Sequence, residues 1–326
     1  MIKFFRNSYF TNYIALVVMA LLLWLPSFFT LPECHPSGTT PLYDFIVTGL
    51  GSMPWLLLVV ALVLFVVEAY AFNEIMIVGK IEPKVSTMGA FVFIVLMGMT
   101  NEQTSFQPTL LASVFVLSAM FLLYRIPSRQ NVEIDLLNIG ICIALASMCY
   151  FYSAILLIWI LVALSIQKSS VFRLQVIPFI GFVLPYFFFF AFRYIKGDVV
   201  EVVSAYSDFF TSFRFTFGGY GVVALSILVL IVLVSFLPLN FNSLFAQERL
   251  VEERQNISIA SLLFLAALVM MVLADDGVFA CGLLFLALSV HNSYWLSHLT
   301  NTKWIEGILD FVLILIYILH YLPVFV

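Results

Sequence analysis

This sequence has very little charge. Asp, Glu, Lys and Arg make up 10% of its 326 residues, where a soluble protein of this size carries about 25%. With 63% of residues hydrophobic, the chain lacks the polar surface of a water-soluble globule. Positive charge is scarcer still. The 14 Lys and Arg are scattered in short loops and the net charge is −4, which excludes a basic nucleic-acid-binding face. Cysteine is sparse: Cys34, Cys142, Cys149 and Cys281 form neither a CxxC pair nor a metal-ligand spacing. Cys34, Cys149 and Cys281 are expected near one face, either as a disulfide or as free packing residues. The four histidines (His35, His291, His298 and His320) fall on both sides of the expected topology and cannot converge on one iron or zinc. P-loop, GxGxxG and GxSxG contexts are absent. The sequence therefore calls for no metal and no cofactor.

What is present is a series of long apolar runs. The first, Asn12–Leu31, is about 20 residues, enough to cross a bilayer. It ends without a small-residue cleavage site, so it reads as a signal anchor. Further runs cover Gly51–Phe72, Val85–Thr100, Thr109–Tyr124, a hairpin of Leu136–Tyr150 and Tyr152–Gln167, and Leu174–Ile195. Four more end near Pro238, end at Asp275, reach Trp295, and start near Trp304. The expected fold is an all-α polytopic bundle of about eleven transmembrane helices, in one domain spanning residues 1–326. With the N-terminus in the cytoplasm, every Lys and Arg falls inside except Arg193, Lys196 and Arg214. Inverting the chain would reverse that ratio, so the positive-inside rule decides the orientation. The expected location is a bacterial inner membrane, with a cytoplasmic N-terminus and a periplasmic C-terminus.

The three exceptions share one stretch, Pro185–Phe217. Within it, Asp198–Phe213 alternates apolar and polar residues at helical spacing, as an amphipathic helix on the outer leaflet would. A second outer helix is expected after Thr40, an N-cap followed by Pro41 at the first helical position. Leu42, Tyr43, Phe45 and Ile46 would form its apolar side and Asp44 its polar side. The runs around the turn NEQTSFQP are short, so either that turn lies below the surface in a protein-lined cavity, with Glu102 and Gln103 facing it, or the bilayer is locally thin.

Basic residues resist translocation, so three on the outer side point to an anion there. Arg193, Lys196 and Arg214 are candidate ligands of a lipid phosphate or pyrophosphate, the guanidinium fork matching phosphate oxygens. The alternative is pairing of Arg193 and Lys196 with Asp198 or Glu201, or with lipid headgroups. A carboxylate beside such a cluster suits glycosyl transfer from a polyprenyl-phosphate sugar, as general base on the acceptor hydroxyl. Asp44 is the first candidate and Glu33 the second. Glu102, Asp275 and Asp276 are further outer-face polar candidates. Within the spans, Glu68, Glu306 and Asp310 are candidates for an ion or proton path, because a charge at a helix centre costs about 2.5–3.5 kcal/mol.

The cytoplasmic N-terminus, acidic first outer loop with an interfacial helix, many spans and later amphipathic outer segment resemble the GT-C superfamily of membrane glycosyltransferases. The hairpin IDLLNIGICIALASMCYFYSAILLIWILVAL is similar to the paired helices of that class. The whole chain also resembles a family of multi-pass Bacteroidetes membrane proteins, of which MIKFFRNSYFTNYIAL is a typical opening. The first resemblance implies a transferase or polymerase-type protein acting on a polyprenyl-linked glycan at the outer face; two features of that class are absent, an acidic doublet in the first loop and a large soluble C-terminal domain. The second implies a membrane fold and no particular activity. Expected partners are membrane lipids, a polyprenyl-phosphate-linked sugar and a membrane protein partner. The alternative functions are a non-catalytic subunit of an envelope complex and a transporter.

Overall fold

A computed structural model of the chain describes residues 2–7, 9–31, 39–51, 53–83, 86–99, 103–128, 132–167, 172–212, 251–274, 277–298 and 303–325, and no strand occurs among them. The described α-helices are α1 (Ile2–Phe5), α2 (Phe10–Thr30), α3 (Pro41–Leu50), α4 (Pro54–Val78), α5 (Met88–Met97), α6 (Pro108–Arg125), α7 (Glu133–Cys149), α8 (Leu156–Ile166), α9 (Phe172–Lys196), α10 (Val199–Ser212), α11 (Val251–Leu273), α12 (Gly277–His298) and α13 (Lys303–Phe325). Among the described residues, five helices are long and apolar enough to cross a membrane: α2, α4, α6, α9 and α11. That is fewer than the eleven spans expected. The difference has physical causes. The helices α5 and α8 have 10 and 11 residues, about half the length a bilayer needs. The second half of α12 carries His291, Asn292, Ser293, Ser297 and His298. The run ending near Pro238 lies outside the described residues.

The centre of the bundle is α5. All of its residues except Leu96 are buried, and it packs between α4 and α12. At about 1.5 Å per residue it is only about 15 Å long, so both ends lie inside protein. A helix N-terminus leaves backbone N–H groups without partners. Side chains supply them here. Ser86 Oγ accepts from the Met88 amide at 3.1 Å, Glu82 Oε2 from Gly89 at 3.2 Å, and Asn73 Oδ1 from Ala90 at 3.4 Å. Beyond the other end, residues 103–107 turn back towards α6 and are buried. Gln107 Nε2 donates to Gln103 Oε1 at 2.6 Å, and the Ser27 and Thr104 hydroxyls are 2.7 Å apart. Gln103 is buried in protein; Glu102 lies outside the described residues.

The end of the bundle that carries α1 is laced by long-range polar contacts. Thr87 Oγ1 donates to the Phe5 carbonyl, Arg6 Nη2 to the Leu296 carbonyl, and Asn256 Nδ2 to the Gly79 carbonyl. Lys80 pairs with Glu252. Cys142 and Cys149 are free thiols, and Cys34 lies outside the described residues.

The closest helix crossing is α7 on α9. A Cβ on Gly140 would stand 2.1 Å from the Pro178 carbonyl oxygen, and one on Gly181 would stand 2.3 Å from that of Leu137. Small residues matter here because lipid is as apolar as a side chain, so helices associate through close packing. On its other side α9 is the least covered of the five long helices, with 11% of its apolar window buried.

Two outcomes follow from this packing. Gly140→Ala forces two backbones apart and costs about 1–3 kcal/mol, while Gly307→Ala, with nothing within 4 Å, costs nothing; thermal unfolding in detergent separates them. Glu82 lies in the loop before α5. Burial pushes its carboxyl from an ordinary 4.5 up to about 7, against the pull of the Ser293 and Ser86 hydroxyls and the Gly89 amide. The folded chain therefore holds a proton that the unfolded chain has released. The contribution is full below about pH 4.5 and lost as pH rises through about 7, a change on the order of 3 kcal/mol. In unfolding titrations, wild type loses stability relative to Glu82→Gln across that window.

Candidate functional site

The site is built at the opposite end, where α3, α9 and α10 meet. Pro41 opens α3 with its fixed φ and no amide to satisfy. Thr40 is the N-cap by position, but its hydroxyl makes no bond to the helix backbone. It donates to Asp44 Oδ1 at 3.2 Å. Buried Tyr43 and Val47 anchor α3 on the core. The Tyr43 ring stacks on Phe106 with centroids 5.7 Å apart, and its hydroxyl donates to the Phe106 carbonyl. The expected apolar side is rotated: Phe45 is 76% exposed, and Asp44 is half-buried. That rotation turns the carboxylate away from open solvent and into a pocket.

Arg193 and Lys196 lie in the last turn of α9, where cations complement the helix dipole. Gly197 then takes φ +84°. Its amide donates to the Tyr194 carbonyl and the Asp198 amide to the Arg193 carbonyl, both at 3.1 Å. This is a Schellman closure, and the left-handed residue it needs is accessible to glycine at no steric cost. It reverses the chain, so that α10 runs back along α9. Without that reversal α10 would not cover the site.

The result is a pocket of about 640 Å³. Asp44 and Thr48 contribute from α3, Phe189, Phe192, Arg193 and Lys196 from α9, and Val202, Ala205 and Tyr206 from α10. Each cation lies over an aromatic ring one turn back. The Arg193 guanidinium is 5.6 Å from the Phe189 centroid and Lys196 Nζ is 4.6 Å from that of Phe192. Such contacts hold a cation beside an apolar wall without neutralising it. Arg193 Nη1 is 3.8 Å from Asp198 Oδ2, a long and half-exposed pair of small energetic weight. The buried Tyr206 hydroxyl has no hydrogen-bond partner among the described residues. Burial, then Tyr186, then the charge of Asp44 push this phenol above its ordinary range, so it remains a neutral donor.

Three sequence candidates are thus brought into one pocket: Asp44, Arg193 and Lys196. Glu33, Glu102, Arg214, Asp275 and Asp276 lie outside the described residues. Sequence reasoning missed Phe189, Phe192, Thr48 and Tyr206. The signal for the first two was present, because Phe189–Arg193 and Phe192–Lys196 are both i, i+4 pairs on one helix. No family model matches the chain, and neither does any curated protein or solved structure.

An anionic headgroup in this pocket would meet two cations. Replacing both, as Arg193→Ala with Lys196→Ala, lowers retention of phosphatidic acid over phosphatidylcholine by at least about tenfold, because a hydrogen bond to a charged group contributes roughly 1.5–3 kcal/mol. Native mass spectrometry of the purified chain measures that ratio, and Lys80→Ala at the opposite end leaves it unchanged.

Proposed function

We propose that the chain is a multi-pass protein of a bacterial inner membrane that acts on a polyprenyl-linked glycan at the outer face. In this reading the N-terminus is cytoplasmic, and the pocket of α3, α9 and α10 opens at the outer leaflet. The reading rests on one observation above all: Asp44, Arg193 and Lys196 line the same pocket, beside an apolar wall of Phe45, Phe189 and Phe192. Carboxylate, cations and a greasy wall are the three elements needed to hold a lipid phosphate and activate an acceptor. The GT-C resemblance points to the same chemistry.

The reaction is glycosyl transfer. Asp44, as general base, takes the proton of the acceptor hydroxyl. The acceptor oxygen forms a bond to the anomeric carbon as the bond from that carbon to the phosphate oxygen breaks. The departing electron pair stays on the phosphate, where Arg193 and Lys196 stabilise the charge. Tyr206, kept neutral, is placed to donate to an oxygen of donor or acceptor.

The test uses cells carrying Asp44→Asn or Arg193→Ala at matched protein levels. Both variants are expected to accumulate the lipid-linked glycan as a deletion does. Wild-type behaviour in both would overturn the transferase reading and favour a non-catalytic subunit, for which the exposed apolar side of α9 would be the docking face.

A further inference from the structure

A second cavity, of about 510 Å³, lies between α4 and α6. It is independent of the pocket at α3. Its walls are apolar, among them Leu64, Val67, Leu117 and Phe121. Two carboxyl groups of α4 line it. Glu74 is exposed, whereas Glu68 is 2% exposed. They are six residues apart, about 9 Å along the helix, so the cavity connects an exposed rim to a buried floor. At about 30 Å³ per molecule it has room for water.

The hydrogen bonding of Glu68 is incomplete in an informative way. Ser113 Oγ stands 2.9 Å from Glu68 Oε2 and 2.7 Å from the Leu110 carbonyl oxygen. A serine hydroxyl has one hydrogen. If it goes to the closer Leu110 carbonyl, the contact with Glu68 is a hydrogen bond only when the carboxyl itself carries a proton. The other oxygen, Oε1, has no partner among the described residues. Among the described residues, no ion pair reaches Glu68. The neighbouring α5 has no ionisable side chain, and that of α2 is Tyr13, against Tyr70. On α6, Ser113 faces Glu68, Ser118 lines the cavity, and Arg125 lies beyond it over the Phe121 ring. On α3, Asp44 faces the other pocket. Capping does not explain this acid either, since it meets no orphan amide. We propose that Glu68 is an intramembrane proton-binding carboxyl, loaded and unloaded through the cavity whose rim carries Glu74.

Dicyclohexylcarbodiimide tests this in the full chain, in membranes. The probe is apolar and reacts with carboxylic acids. The acid O–H adds across one C=N bond: the proton goes to nitrogen, the carboxyl oxygen to the central carbon, and nothing leaves. The adduct rearranges to a stable N-acylurea that mass spectrometry places on a peptide. Glu68 of the wild-type chain is expected to be labelled, and the labelling to fall at least about tenfold as pH rises and the proton is lost. In Glu74→Gln the loss moves to lower pH, because a neighbouring negative charge no longer holds the proton on. Sodium chloride does not protect. Absence of an adduct on Glu68, labelling that does not change with pH, or protection by sodium would each overturn the proposal, the last by identifying a metal-cation site instead.

Discussion

Away from water, every backbone N–H and C=O must find its partner within the protein. This constraint organises the interior more than any hydrophobic preference does. It explains why a ten-residue helix can sit in the middle of an apolar bundle only with Ser86, Glu82 and Asn73 at its first amides. It also explains why the turn that follows is rich in polar side chains, and why those side chains bond to one another and to backbone. The same demand draws α1 and the loop before α5 together through Thr87 and Phe5. Burying α5 then obliges α2, α4 and α12 to pack around it.

Once that obligation is assigned, the polar groups it does not cover stand out. Glu68 meets a hydroxyl and a cavity, not an orphan amide. Asp44, Arg193 and Lys196 sit where a helix has been reversed by Gly197 and folded back over them. The first group is the proposed proton site and the second the proposed anion site. They share α4 and α3 as consecutive helices but have separate walls, so chemistry at one does not require the other.

Much of this was readable in the chain. The helical character, the five long spans, the start of α3 at Pro41 and the amphipathic α10 all follow from periodicity and capping residues. Asp44, Arg193 and Lys196 were expected on one side, but their meeting in one pocket was not readable, because helix order around a bundle does not follow from one chain. What was not readable depended on tertiary placement. A run such as Val85–Thr100 is apolar enough for a span, yet the helix within it stops at Met97 because the turn residues beyond are held by other helices. The rotation of α3, which buries Tyr43 and exposes Phe45, is set by the Phe106 ring 63 residues away. Glu82 gave no signal either: an acid in a loop with two lysines reads as solvated until Ser293, Ser86 and the Gly89 amide close around it.

The central claim is that α3 and α10 close one pocket over the end of α9. The direct measurement is cross-linking of Thr48→Cys with Ala205→Cys by a short bis-maleimide in native membranes, against the parent chain as background. The account predicts a peptide of α3 covalently joined to one of α10. Two cysteines that each take label but are never joined would contradict it.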